Sequence, residues 1–550
     1  MAYDKKDMAG EICQEFENLA GDRVTFEDHW EQIAERVLPA KRNTIRQGSY
    51  SFPGSRKTEY QFDSTAALAL SKFKSICASL LTPENSKWSL LKPSNPYLAK
   101  SRNVRLYFEA ATNALWDQRR RPTANFSGQN VMIWELVGAF GTGAIFTDEL
   151  RTGPGMRYRA IPIGETFIGE NHQGLVDRFY RPFKQKAYQL AQRWGFDNLP
   201  QQIKEAAKSE VAAQRNKDWT ILHCVKPNER YEPGRYDAMG KPFFSGYLVK
   251  DLKEMLSTGG FSSFPYSVAR YEQEPGEVYG RSPAMSVLPA IKTLNEEKKA
   301  VLKQGHRALD PTLLAHDDGI VDGFSLRPGV INPGAVNADG RPLVHALPTG
   351  NPIAGKELMD DERQVINDAF LVTLFQILVE TPQMTATEVL ERTREKGILL
   401  APTVGRQQSE FLGPMIEREL DVLAQQGLLP PMPPELIEAR GEYQVEYDNP
   451  MARAAKAEEG AGFQRTLETT LTIANVTQDP STLDHFDFDT IVPEMARNNA
   501  VPERWMASED KIAAKRQARA DQAQQQQMIQ AAPGAAAMTK ALTVAQKGGK

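Results

Sequence analysis

Gly350-Asn-Pro-Ile-Ala-Gly355-Lys356-Glu357 carries the glycine and lysine spacing of a phosphate-binding loop, placed between a short apolar run and a helix-forming segment. The chemistry fails at its last position. A phosphate loop needs a Ser or Thr hydroxyl there to hold magnesium, whereas Glu357 supplies a carboxylate and Asp360, Asp361 and Glu362 add negative charge close by. The stretch therefore reads as a turn into a helix. Phe140-Gly-Thr-Gly-Ala-Ile-Phe146 has two glycines but no third at nucleotide-fingerprint spacing, which fits a tight turn between a helix and a strand. The seven histidines are scattered without paired-ligand spacing. His316, Asp317, Asp318 and Asp322 could hold a metal, but a Gly-bearing acidic turn between strands accounts for them better. What remains is a row of cations, Lys292, Lys298, Lys299 and Lys303, on one predicted helix. Such a row is ordinarily a solvated surface and otherwise a face turned to phosphates.

The elements around these residues follow from periodicity. Between Ala9 and Val37 the apolar positions recur at helical spacing around Gly21-Asp22, predicting a helical hairpin. Ser64 is placed to cap a helix carrying Leu70, Phe73, Cys77 and Leu80 or Leu81 on one face, stopped by Pro83. From Met156 to Tyr271 the pattern is strand-like with a helix inserted at about 185–194, so this part is mixed α and β. Pro283 opens a long helix to about His306, and residues 309–355 are dense in Gly, Pro, Asp and Asn around two short apolar pieces, predicting small strands and turns. A second helix follows over 357–380 with an acidic first turn. Thr381-Pro382-Gln383 interrupts it, and Thr385 to Glu388 has the form of a capping box. The continuing helix should kink near Pro402 and Pro414. Pro430 to Pro434 is a stiff connector, Tyr443–Tyr447 a strand, and Met451 to about Ala474 a helix. Beyond about Arg504 an Ala, Gln and Lys/Arg-rich stretch predicts a solvated helix fading into a disordered tail.

Length and composition bound the reading. A chain of 550 residues, 41% hydrophobic and 25% charged, needs several packed units and has the apolar content to build them. Lys plus Arg number 66 against 70 Asp plus Glu, which argues against tight nucleic-acid binding but not against a surface along which DNA slides. Cys13, Cys77 and Cys224 lie far apart, fitting a reducing compartment and no disulfide framework. No apolar stretch has the length of a membrane span, and the first residues resemble neither a secretory signal nor a transit peptide. The expected class is α+β, predominantly helical, without enzymatic activity, cofactor or metal.

A series of short stretches, in order, resembles the portal (head-to-tail connector) proteins of short-tailed bacteriophages. They are Phe62-Asp-Ser-Thr leading to Leu80-Leu-Thr-Pro83 and Lys87-Trp-Ser-Leu90; Asn125-Phe126; Phe140 to Phe146; Gly276-Glu-Val-Tyr-Gly-Arg-Ser-Pro283 with Leu288 to Leu294; Met384-Thr-Ala-Thr-Glu-Val389; Arg406 to Leu420; Gly427-Leu-Leu-Pro430; and Val445-Glu-Tyr-Asp-Asn-Pro450. The resemblance implies a subunit of a ring, typically dodecameric, at one capsid vertex. That ring would conduct double-stranded DNA without sequence preference, dock the packaging ATPase (terminase), and then join tail adaptor and capsid proteins. It implies location in the virion, with assembly in the host cytoplasm and no membrane partner. Laid on this sequence, the family's parts become a wing over 1–279 and 385–478, a first stem helix over 280–306, and a clip over 307–355. A second stem helix covers 356–380, a tunnel loop 381–384, and a crown with its tail 479–550. Lys292, Lys298, Lys299 and Lys303, with Thr381, Pro382, Gln383 and Met384, are then the candidates to line the channel. Leu294, Val301, Phe370 and Phe375 are candidates for subunit contacts, and equally for the core. A stem helix of about 24 residues would be about 36 Å long, enough for a channel wall. Two other readings are a packaging ATPase subunit, which would need a complete phosphate loop, and a structural adaptor without a channel.

Overall fold

The computed structural model of the chain describes residues 5–46, 54–55, 57–150, 153–315, 324–348, 354–373, 401–439, 441–448, 450–498, 501–508 and 510–526. In chain order the elements begin with α1 (Lys5–Arg36), α2 (Thr65–Leu81), β1 (Ser89–Pro93), α3 (Arg102–Arg119) and α4 (Phe126–Phe140). Strands β2 (Thr142–Glu149), β3 (Met156–Ile161), β4 (Phe167–Glu170) and β5 (Val176–Lys186) follow. Short helices α5 (Ala187–Trp194), α6 (Gln201–Lys208) and α7 (Ala212–Arg215) precede β6 (Asp218–Pro227), β7 (Phe243–Val249), β8 (Glu254–Phe261) and β9 (Tyr266–Arg270). Then come α8 (Pro283–Ser286), α9 (Leu288–Leu309), β10 (Leu313–Ala315), β11 (Val344–Ala346) and α10 (Ala354–Ala369). Residues 401–406 are helical and pass through a π-helical turn, Gln407–Leu412, into α11 (Gly413–Gln425). Next come α12 (Pro434–Glu438), β12 (Tyr443–Tyr447), α13 (Pro450–Thr477) and α14 (Phe488–Asn498), and residues 510–526 are helical and exposed.

The chain divides into two compact units, one of Met1–Trp88 and Leu115–Leu428, the other of Ser89–Ala114 and Leu429–Lys550. The first contains three antiparallel sheets among the described residues, ordered β3-β2-β9, β4-β5-β6-β7-β8 and β10-β11. Its main core joins α1, α2 and α4 to the first two of these sheets and to α9 and α10 through Trp30, Phe73, Phe140, Ile291, Leu294, Ile366 and Phe370, all at most 1% exposed. In the second unit β1 pairs antiparallel with β12, setting Leu90 opposite Glu446 and Leu91 opposite Val445. Two stretches of the resembling series, more than three hundred positions apart, thus meet in one ladder.

The expected hairpin between residues 9 and 37 is instead one continuous helix, α1. A glycine costs an interior helical position only about 1 kcal/mol, and tertiary anchoring outweighs that. Two residues past Gly21, the buried Arg23 guanidinium donates to the carbonyls of Ile163 at 2.9 Å, Thr166 at 2.6 Å and Ile45 at 3.0 Å, and it stacks 4.0 Å from the Phe167 ring centroid. At the start of α2 the Ser64 hydroxyl makes no capping bond; the Asp63 carboxylate accepts from the Thr65 N–H at 2.8 Å instead. In the second long helix, expected over 357–380, α10 runs to Ala369, the chain turns at Leu371, whose φ is +60°, residues 372–373 are helical again, and 374–380 lie outside the described residues. At the other chain positions expected to kink, near Pro402 and Pro414, the irregularity is the π-helical turn itself.

Candidate channel and subunit-contact elements

The helix, insertion, helix order read from the sequence is present as α9, the β10–β11 hairpin and α10. Ser282 starts it: its hydroxyl accepts from the Met285 N–H at 3.0 Å and donates to the Ala139 carbonyl at 2.9 Å, which caps α8 and ties it to α4. Proline at position 289 then sits where a helix start tolerates it. The two long helices approach closely where a Cβ on Gly355 would lie 2.9 Å from Val301 Cγ2. That approach is the use of the glycine in the phosphate-loop-like stretch. Glu357 is exposed in the first turn of α10, and residues 349–353 lie outside the described residues.

The four lysines do not form a single free row. Lys292 is half-buried and donates to Gln32 Oε1 of α1 at 2.6 Å. Lys299 pairs with Glu296 at 3.4 Å and lies 5.4 Å from the centroid of Phe62. Lys298 is half-buried and Lys303 is exposed. Helical geometry groups Lys292, Lys299 and Lys303 at i, i+7 and i+11, with Lys298 on a different side. Leu294 and Phe370 are 1% and 0% exposed in the unit's own core, and Val301 packs partly against that core. Thr381, Pro382, Gln383, Met384 and Phe375 lie outside the described residues, as do His316, Asp317, Asp318, Asp322 and the Thr385–Glu388 capping box.

Electrostatics across the hairpin are uneven. Burial and the nearby Glu362 of α10 push the Glu297 carboxyl of α9 above its ordinary value. At the base of α9, Asn295 Oδ1 accepts from the N–H groups of Phe62 at 2.8 Å and Asp63 at 3.1 Å, and Arg363 of α10 donates to Asp63 Oδ2 at 2.8 Å. Burial opposes ionisation of Asp63, yet the bonds from Thr65 and Arg363 hold its carboxyl below the usual value. The Phe62-Asp63 stretch of the resembling series is therefore the clasp that joins the root of α2 to both long helices.

A second pair of stretches explains each other. Gly141, at φ +77°, would place a Cβ 2.1 Å from the Gly280 carbonyl oxygen. The Tyr271 N–H donates to Gly141 O at 2.9 Å, and the Gly280 N–H to Thr142 Oγ1 at 2.9 Å. The glycines of Phe140 to Phe146 thus allow two backbones to touch at the entry to α8.

The buried arginines that fasten the 401–425 helix to its neighbours carry no signal in the sequence. Arg270 pairs with Glu410 at 2.7 Å and with Glu170, and Gln407 donates to Arg270 O at 2.5 Å. Arg119 chelates Glu419 through Nε at 3.0 and 3.1 Å, with Tyr158 Oη donating to the same carboxylate at 2.6 Å. Arg119 is the first of three consecutive arginines, a run that in sequence reads as surface. The next two, Arg120 and Arg121, are exposed and border a cavity of about 300 Å³ with Trp88, Trp116 and Phe126. Among the described residues no group of three His, Cys, Asp or Glu side chains is gathered as a metal site, and no helix is long and apolar enough to cross a membrane.

The chain belongs to the family of bacteriophage head to tail connecting proteins, whose profile matches residues 9–506. It is 27% identical over 556 aligned positions to the portal protein of Salmonella phage epsilon15, covering 97% of this chain and 95% of that protein. It is 26% identical to the probable portal protein of Bordetella phage BPP-1, over 92% of this chain and 90% of that protein. A solved structure titled as the virion of a native gene transfer agent particle overlaps 73% of this chain and 85% of that one, at 10% identity and a TM-score of 0.34.

Proposed function

We propose that the protein is a portal subunit: copies close into a ring at a capsid vertex, conduct double-stranded DNA during packaging and ejection, and connect head to tail. Membership of the connector family along residues 9–506 carries this reading. The proteins it matches along nearly their whole length are named as portal proteins. In this reading α9 and α10 are the stem, the β10–β11 insertion the clip, residues 381–384 the tunnel loop, and the segment from 479 the crown. The remainder forms the wing. The motor is a separate packaging ATPase that docks on the ring, and tail adaptor proteins replace it after filling.

Lys303 and Lys299 are the α9 cations best placed to meet phosphates, with Lys298 on another side and Lys292 held by Gln32. Weak contact suits sliding, because each phosphate neutralised at full strength adds to a binding constant that would stall movement. Electron microscopy of the purified protein tests the assembly. A ring with a central hole about the width of duplex DNA is expected, and a solid or elongated particle would overturn the reading. Replacing Lys299 and Lys303 singly by Glu tests the channel; DNA packaging and retention unchanged in both cases would remove these residues from it.

A further inference from the structure

The two long helices carry opposite charge. Over Leu288–Leu309, α9 has four lysines and one arginine against two glutamates, a net of +3, while over Ala354–Ala369, α10 has five acidic residues against one lysine and one arginine, a net of −3. Packed side by side in one copy, they do not use this difference. Among the described residues the ion pairs of α9 and α10 run within a helix, Lys299 to Glu296 and Arg363 to Asp360, or from Arg363 to Asp63 of the loop before α2. The carboxyls facing each other between them, Glu297 and Glu362, are alike in sign.

Each helix also leaves large apolar side chains in water beside its unused charge. On α9, Lys298, Leu302 and Leu309 fall at i, i+4 and i+11 on one side of the helix, with the leucines 45% and 87% exposed. On α10, Leu358, Asp361 and Val365 fall at i, i+3 and i+7 on a different face from the buried Met359 and Ile366, with Leu358 58% and Val365 50% exposed. Isolated exposed leucines are ordinary; two stripes of matching pattern and opposite charge on neighbouring helices are a pair of complementary surfaces.

The geometry points to a contact between copies of this chain in which the Lys298–Leu302 stripe of α9 packs on the Leu358–Asp361–Val365 stripe of the next copy's α10. The two stripes are different surfaces, so the contact is heterologous, and it repeats head to tail around a closed ring. Lys298 meets Asp361 while Leu302 fills the space between Leu358 and Val365. This inference rests on the proposal that the chain forms a ring, and it assigns that ring's register to three apolar side chains and one charge pair rather than to the buried Leu294 and Phe370.

Charge reversal with mixing tests it. Lys298→Glu and Asp361→Lys are purified separately, checked for unchanged helicity by circular dichroism, and sized by native mass spectrometry beside the unaltered protein. Like charges then oppose at every contact, and the assembled fraction is expected to fall about tenfold or more in each variant. Mixed in equal amounts, the variants regain opposite charges only when they alternate, so rings return with equal numbers of the two. Unaltered protein that stays monomeric overturns both this contact and the ring. Unaltered rings with both single variants assembling as well overturn the contact alone. Folded variants that fail singly and also fail when mixed overturn the Lys298–Asp361 pairing.

Discussion

Removing Arg119 should loosen the 413–425 helix more than any surface change. Arg119, at the end of α3, and Glu419, in α11, have side chains 3% and 0% exposed, and Tyr158 of β3 completes the cluster. The guanidinium lies 4.2 Å from the Trp88 ring centroid, so one flank is aromatic and the other ionic. Burial alone would lower the Arg119 pKa, but Glu419 more than offsets it and holds the group above its ordinary value. Arg119→Met leaves the Glu419 carboxylate buried with the Tyr158 hydroxyl as its remaining partner here, and breaking a buried pair in this way costs about 3–5 kcal/mol. A chain of several units does not unfold in one step, so the loss is read locally, as amide hydrogen exchange in α11. At about 1.4 kcal/mol per decade, exchange there should accelerate by about two to three and a half orders of magnitude. Glu419→Leu should do the same. The double variant Arg119→Met with Glu419→Leu, which removes both charges, should lose clearly less than the two single losses combined. Exchange within about threefold of the unaltered protein, or losses that simply add, would refute the argument that this pair is a coupled anchor.

Three other outcomes are expected. Gly141→Ala should abolish soluble protein or lower the melting temperature sharply, because a Cβ there meets the Gly280 carbonyl at 2.1 Å and φ is +77°; normal yield and melting would contradict the close approach. Burial, then Arg181 and Arg193, push His223 well below its ordinary value of 6.5, and the ring is stacked on Tyr247 and bonded to Tyr266 at 2.6 Å and Ser245 at 3.0 Å. A depressed folded value means stability that is intact above 6.5 and lost as pH falls below it, so His223→Gln should flatten the decline of melting temperature with acidification, and an unchanged slope would count against this origin. Glu297 has a raised value, from burial and Glu362, so its penalty is absent below its ordinary 4.5 and grows as pH rises. Glu297→Gln should therefore raise the melting temperature near neutral pH and leave it unchanged in acid, as followed by circular dichroism.

Periodicity was enough to place the elements that carry local signals. Pro283 at a helix start, the strand-like pattern that holds Met156–Ile161 and Asp218–Pro227, and the short pieces that become β10 and β11 announce themselves through proline placement, alternation and turn residues. Where a local signal competed with tertiary anchoring, it lost. Gly21 does not break α1 because Arg23 fastens the middle of that helix to three carbonyls, and Ser64 yields its capping role to Asp63, which also holds Arg363. The candidate site was legible to the same degree. The lysines of α9 are visible as a row in sequence, but their fates differ once Gln32 and Glu296 are in reach.

By itself, the order of short motifs along the chain determined the family, and the failed phosphate loop at Glu357 removed a nucleotide site from consideration. Those conclusions need only residue identity and spacing. Tertiary structure decided which charges are used. Arg119, Arg270 and Arg418 read as surface residues until the fold places carboxylates or carbonyls beside them in a medium where an unpaired charge is costly. It likewise decided that Leu294 and Phe370 serve the core while Leu302, Leu358 and Val365 face outward, because helices of known periodicity still need partners before either face becomes the inside.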